Sequence, residues 1–185
     1  MLIVCIAGMP GSGKGVVSEA ARELGLPVYV MGDVVREEAA KRGLDFTPEN
    51  LNMVASKLRE EEGPAAVARR VVQKLRVSGH GVVIVDGVRS LYEVEEFSRL
   101  GRVVVVAVHA SPRTRFERIR RRGRPGDPRT WEEFRERDLV ELGFGLGSVI
   151  ALADYMLVNE GAQEEAYREA LRILKEAVSH AEDKG

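Results

Sequence analysis

Apolar residues along this chain gather into short β-branched runs, separated by longer stretches of mixed polarity. The runs cover residues 2–7, 27–30, 82–85, 103–108 and 155–158. Each is nearly continuous rather than alternating, which predicts strands buried on both faces. The intervening stretches read as helices. Residues 14–24 carry Val16, Val17, Ala20 and Ala21 along one side, as an amphipathic helix requires. A second helix is expected over 33–42. Thr47 and Pro48 predict an N-cap and first-turn proline for a third over 49–62, which Gly63 ends, and Pro64 opens another to about residue 77. Ser90 with Glu93, and Thr130 with Glu133, read as capping boxes. Ala166, Leu171, Ile173, Leu174 and Ala177 predict a terminal helix over 163–180. Strands alternating with helices imply a parallel α/β sheet with right-handed crossovers. Three helical segments crowd residues 32–79, where one crossover would suffice, and so read as an elaboration that covers a site.

A length of 185 residues suits one domain over 1–185, and 44% hydrophobic with 31% charged residues excludes wholesale disorder. Lys and Arg number 28 against 29 acids, so no global field marks a nucleic-acid or membrane-surface protein. Cys5 is the only cysteine, which excludes an internal disulfide and predicts a reducing compartment. The apolar runs fall far short of the roughly 20 residues of a spanning helix. Met1 leads into its run with no basic segment, so no signal peptide is expected. The resulting expectation is a cytoplasmic protein with no membrane contact; the oligomeric state stays open. Charge is uneven, however: residues 113–137 hold ten arginines and five acids.

Gly8-Met9-Pro10-Gly11-Ser12-Gly13-Lys14 follows the first run and opens the first helix. Closely spaced glycines let backbone N–H groups curl around an anion where a Cβ would block the approach. The helix N-terminus adds its positive dipole end, and Lys14 a mobile ammonium. The spacing is that of a Walker A loop, except that Gly15 and then Val16 follow the lysine where a hydroxyl is usual. A dinucleotide fingerprint is the alternative, with Asp33 about 20 residues on. Gly11 to Val16 lacks its third small residue and puts a lysine where that fold needs close helix packing.

The lysine–glycine ending resembles the adenylate kinase group of nucleotide kinases, and further segments extend the likeness over most of the chain. Gly32-Asp33-Val34-Val35-Arg36 is similar to the start of the acceptor-binding helix in adenylate and archaeal cytidylate kinases, where the arginine grips the acceptor phosphate. Residues 83–87 resemble a Walker B strand whose aspartate, here Asp86, faces magnesium. Arg89 falls near the place of another phosphate-binding arginine. Ser111-Pro112 with Arg115, Arg118 and Arg122 resembles the arginine helix of short-lid kinases, and Asn159-Glu160-Gly161 the adenine loop of dephospho-CoA kinases. The whole looks most like an archaeal family related to adenylate kinase and dephospho-CoA kinase. The resemblance implies a three-layer P-loop sandwich around a five-stranded parallel sheet ordered 2-3-1-4-5. It also implies a helical acceptor-binding insert over 32–79 and a lid over 113–137.

The site expected from this reading is specific. ATP lies over Gly8, Met9, Pro10, Gly11, Ser12, Gly13, Lys14, Gly15 and Val16, with Asn159 at the base. Lys14, Asp86, Arg118 and Arg122 act in transfer, and Asp86 holds Mg2+ through water. Gly32, Asp33, Arg36 and Arg89 bind the acceptor. That acceptor is a nucleoside monophosphate such as AMP or CMP, or alternatively dephospho-CoA or another metabolite. A hydroxyl acceptor would need a carboxylate nearby, for which Asp33 is the candidate. Asn50, Asn52, Ser56 and Arg59 are candidates for reading a base, or are surface residues. His109 is expected to be structural, Trp131 to anchor the helix after the lid, and Met31 and Met53 to fill gaps. The partners are nucleotides. Nucleic acid is disfavoured, because aromatics are sparse around the arginines and Glu132, Glu133 and Glu136 follow at once. The competing class, prompted by Val16, is a nucleotide-binding regulator without efficient transfer.

Overall fold

The computed structural model describes residues 1–182, without the side chains of 180–182. In chain order the elements are β1 (Leu2–Ala7), α1 (Gly15–Glu23), β2 (Val28–Val30), α2 (Met31–Lys41), α3 (Pro48–Glu62), α4 (Ala66–Arg76) and β3 (Val82–Asp86). They continue with α5 (Leu91–Ser98), β4 (Arg102–His109), α6 (Pro112–Arg122), α7 (Trp131–Gly143), α8 (Leu146–Ala151), β5 (Tyr155–Val158) and α9 (Gln163–Glu182). All strand pairs are parallel, and the sheet order is β2-β3-β1-β4-β5.

Each expected strand forms, and the central ones feed two cores at once. On one face Ile3, Cys5, Ala7, Val83, Val85 and Val105 meet residues of α2–α5 and α8. On the other, Leu2, Val4, Ile6, Val104, Val106 and Leu157 meet α1 and α9. Burial on both faces holds for β1 but not for the edges: β2 is half-buried, and β5 exposes Met156 and Val158. A continuous apolar run marks a strand without saying how many helices cover it. Cys5 is fully enclosed, and burial, reinforced by Glu93, pushes its thiol pKa far up, so it behaves as a small apolar core residue.

Local signals set most helix starts. The Thr47 and Ser111 side chains accept from Asn50 N and Thr114 N, with Pro48 and Pro112 in the first turns. Thr130 and Glu133 form the full reciprocal box. The Ser90–Glu93 box is only half made. Ser90 accepts from Glu93 N, but the Glu93 carboxylate takes Arg89 N at 2.7 Å and Arg59 at 3.2 Å instead. This buried carboxylate ties α3 to the loop after β3. Helix α8 has no counterpart in the sequence reading: six residues are too few to show a period, and its Leu146 and Val149 are recruited by the core. Trp131 packs against Phe116 and Phe134 with centroids 5.3 and 5.2 Å apart, anchoring α7 as expected. Met31 is buried, whereas Met53, expected to fill a gap, is exposed.

Candidate active site

The loop from Gly8 to Lys14 leaves the carboxyl end of the central strand, where ligands of open parallel sheets bind. Gly11 and Gly13 hold φ of +83° and +84°, a region side chains resist. Each also lies against a neighbour. A Cβ on Gly11 would come 2.7 Å from the Arg115 carbonyl, and one on Gly13 would collide with the Asn159 amide. That amide donates to the Ser12 carbonyl at 2.9 Å. Helix α6 and the end of β5 therefore brace the loop from outside.

Arg115 is the main brace. It is buried, donates to the Pro10 and Ala110 carbonyls, both at 3.1 Å, and forms a two-point pair with Asp138 at 2.8 and 2.6 Å. With every direction occupied, it joins loop, α6 and α7. Arg118 reaches the Ser12 carbonyl and Asn159, both at 3.4 Å. Arg122 is clamped two-point by Asp127 at 2.7 Å. Asp127 also accepts from Arg124 N at 3.1 Å and Arg137 at 3.3 Å, and Arg122 above all holds its carboxyl below the usual range. One aspartate thus gathers the lid.

Two cavities meet at the loop. A cleft of about 940 Å³ runs over Gly13–Val16 and Asp86, past Arg118, Arg121 and Arg124, to Asn159 and Gly161. A smaller cavity of about 110 Å³ lies against Gly87, Arg89, Arg137 and Glu141. Gly11, Lys14 and Arg122 line both. Arg89 in turn lines the small cavity and a third groove of about 370 Å³ between Arg59, Tyr92 and Phe144. Shared residues thus link the large cleft, the small cavity and the outer groove.

At the junction, burial draws the Lys14 pKa down, opposed mainly by Asp86. Arg89 and Arg122 push the same way as burial, Asp86 and Glu141 offset only part of it, and phosphate oxygens would supply further negative charge. Asp86 ends β3. Its Oδ2 accepts from the Ser18 hydroxyl at 2.7 Å, while its Oδ1 is buried with no partner. One free carboxylate oxygen facing a phosphate cleft suits magnesium, which takes few protein ligands and fills its shell with water and phosphate. Among the described residues no group of three or more His, Cys, Asp or Glu side chains could hold a metal by itself.

The expected site residues separate accordingly. Of the loop residues all but Met9 and Ser12 line these cavities, as do Asp86, Arg118, Arg122, Asn159 and Arg89. Asp33 and Arg36 do not: they pair with each other, about half-exposed, outside the three cavities. Gly32 lies beside Arg36 on the same helix. Of the base-reading candidates, Ser56 and Arg59 line the outer groove, whereas Asn50 bonds back to the Asp45 carbonyl. Three residues escaped the sequence reading: Ser18, Arg137 and Glu141. Ser18 was detectable in principle as a polar residue among Val17, Ala20 and Ala21. Glu141, in a charged helix, gave no signal.

A family model described as an AAA domain matches residues 4–141. The UPF0200 protein of Hyperthermus butylicus is 68% identical over 173 residues, covering 94% of this chain and 93% of its own. Among solved structures, TT1252 from Thermus thermophilus is similar with a TM-score of 0.65 at 21% identity, covering 95% of this chain and 97% of that one. A shikimate kinase from Aquifex aeolicus gives 0.56 at 21% identity, covering 94% and 96%. At such identities the two structures speak for the fold alone. With the Gly8–Lys14 loop, the 2-3-1-4-5 sheet and these relatives in agreement, the chain has the P-loop kinase fold and belongs to the UPF0200 family.

Proposed function

We propose that this protein transfers the γ-phosphate of ATP to a small phosphorylated acceptor. The observation that carries the reading is the shared lining of the two cavities. Lys14 and Arg122 stand where a donor in the large cleft would present its terminal phosphate to an acceptor in the small one. In-line phosphoryl transfer asks the protein mainly for placement and for charges at the transferring group. Lys14 and the loop N–H groups suit the donor phosphates, and Arg122 suits charge that develops between the two substrates. Magnesium, when bound, would neutralise the donor phosphates. Arg89, which lines the small cavity, suits an acceptor phosphate, with the outer groove for the rest of the molecule.

Two nucleophiles fit this class. The phosphate of AMP or CMP is the one the family resemblance implies. The other is a hydroxyl of a phosphorylated metabolite such as dephospho-CoA, and the carboxylate of Glu141 in the small cavity favours it. The test is a coupled assay of ADP release from Mg-ATP, with AMP, CMP, dephospho-CoA and shikimate as acceptors. Acceptor-stimulated release with at least one phosphorylated acceptor is expected. None across the panel would overturn the kinase reading in favour of a nucleotide-binding regulator.

Ser18 answers the missing hydroxyl after Lys14. It holds one oxygen of Asp86 and leaves the other for the metal, a partner-shell role whose loss typically weakens metal binding by tenfold or more. Ser18→Ala is therefore expected to weaken Mg2+ binding to the complex with a non-hydrolysable ATP analogue by about tenfold, measured by calorimetry. Analogue binding without magnesium should be unchanged. Equal Mg2+ affinity in both proteins would remove Ser18 from the site.

A further inference from the structure

We infer that Glu141 is a catalytic base and that the atom accepting the phosphoryl group is therefore a hydroxyl oxygen. The inference rests on the kinase reading and deepens it. Glu141 lies on α7, is 8% exposed, and lines the small cavity with Lys14, Arg89, Arg122 and Arg137. Its Oε2 is buried with no hydrogen-bond partner. The nearest cation, the Arg89 Nε, stands 3.5 Å away, beyond good hydrogen-bond length. A buried acceptor without a donor is costly, so the site is built for something that brings one.

The chemistry of the candidate acceptors then decides. A phosphate dianion carries no donor hydrogen for that oxygen and is already a nucleophile, so it has no use for a base beside it. A hydroxyl donates to that carboxylate and needs it, since its proton must leave as the new bond forms. In the step, the acceptor O–H gives its proton to Glu141 while its oxygen bonds to the γ-phosphorus. The bond from that phosphorus to the β,γ-bridging oxygen breaks, and ADP departs with the electron pair. Glu141 then releases the proton to solvent. Asp33, the other carboxylate considered for this role, is engaged by Arg36 outside the cavity.

The groups facing Glu141 are Lys14 from the loop, Arg89 from the segment after β3, Arg122 from α6 and Arg137 from α7. The arginines stay charged throughout the working range; the other carboxylates by the junction are Asp86 and Asp127, the latter held by Arg122 and Arg137.

Glu141→Gln keeps the shape and removes the base. With Mg-ATP and whichever acceptor of the panel the wild-type protein uses, kcat is expected to fall about a hundredfold. KM for ATP should stay within twofold. Glu141→Asp, which keeps a carboxylate, should recover part of the loss. Both variants and the wild type should melt cooperatively. Identifying the product adds an independent arm: a new phosphate ester on a hydroxyl agrees with the inference. Formation of ADP from AMP or CDP from CMP at rates unaffected by Glu141→Gln would overturn it and leave the kinase reading standing. So would a hydroxyl acceptor used equally well by the Gln variant.

Discussion

Lys14→Met is expected to lower ATP-dependent turnover by about two decades while making the unliganded protein more stable. Both effects come from one placement. Burial holds the ammonium at a depressed pKa at the junction of the two cavities, a cost that phosphate contacts recover only when ATP binds. Methionine keeps the stem and removes the charge, so the cost disappears along with the contact. The sign of the pH dependence follows. Below its lowered pKa, Lys14 is charged in folded and unfolded chains alike, and the penalty is fully present. As pH rises from that value to the ordinary lysine range near 10.5, the folded chain loses a proton that the unfolded chain keeps. Wild-type stability should therefore gain a contribution through this window, and Lys14→Met should lack it. ATP restores the ammonium, so binding within the window should take up a proton, visible by calorimetry in buffers of different ionisation enthalpy. Unchanged ATP binding and turnover in the variant would defeat the assignment of the loop.

The lid arginines should give the second large effect, and not equally. By spacing alone Arg118 and Arg122 are twins, four residues apart on one helical face. In the fold Arg118 touches the Ser12 carbonyl and Asn159 inside the donor cleft, whereas Arg122 is held by Asp127 at the junction. Arg122→Ala is expected to lower turnover by about a hundredfold with ATP affinity little changed, because it acts on charge that develops during transfer. Arg118→Ala should weaken ATP binding together with turnover, since it braces the bound donor's surroundings. Equilibrium ATP binding and kcat measured on both variants separate the two. A protein that only binds nucleotide would show ATP affinity changes but no acceptor-dependent ADP release in any form, and equal profiles for both substitutions would refute the division of roles.

The sequence by itself determined what depends on neighbours along the chain. Apolar runs at residues 2–7 and 103–108 had to become buried strands, and glycines at 11 and 13 allowed the only backbone that turns N–H groups onto an anion. Thr47, Ser111 and Thr130 fixed helix starts through hydroxyls that reach just three residues ahead. These are short-range constraints, and each is complete within a few residues. The tertiary structure decided every pairing between distant charges. Arg115 is spent on Asp138 and the Pro10 carbonyl, and Ser18 on Asp86, 68 residues away. Glu141 is left with an oxygen that nothing fills. Spacing puts a side chain on a face of its helix; only the packing of α6 and α7 over the loop determines what that face meets, and whether the charge it carries is satisfied at home or held ready for a ligand.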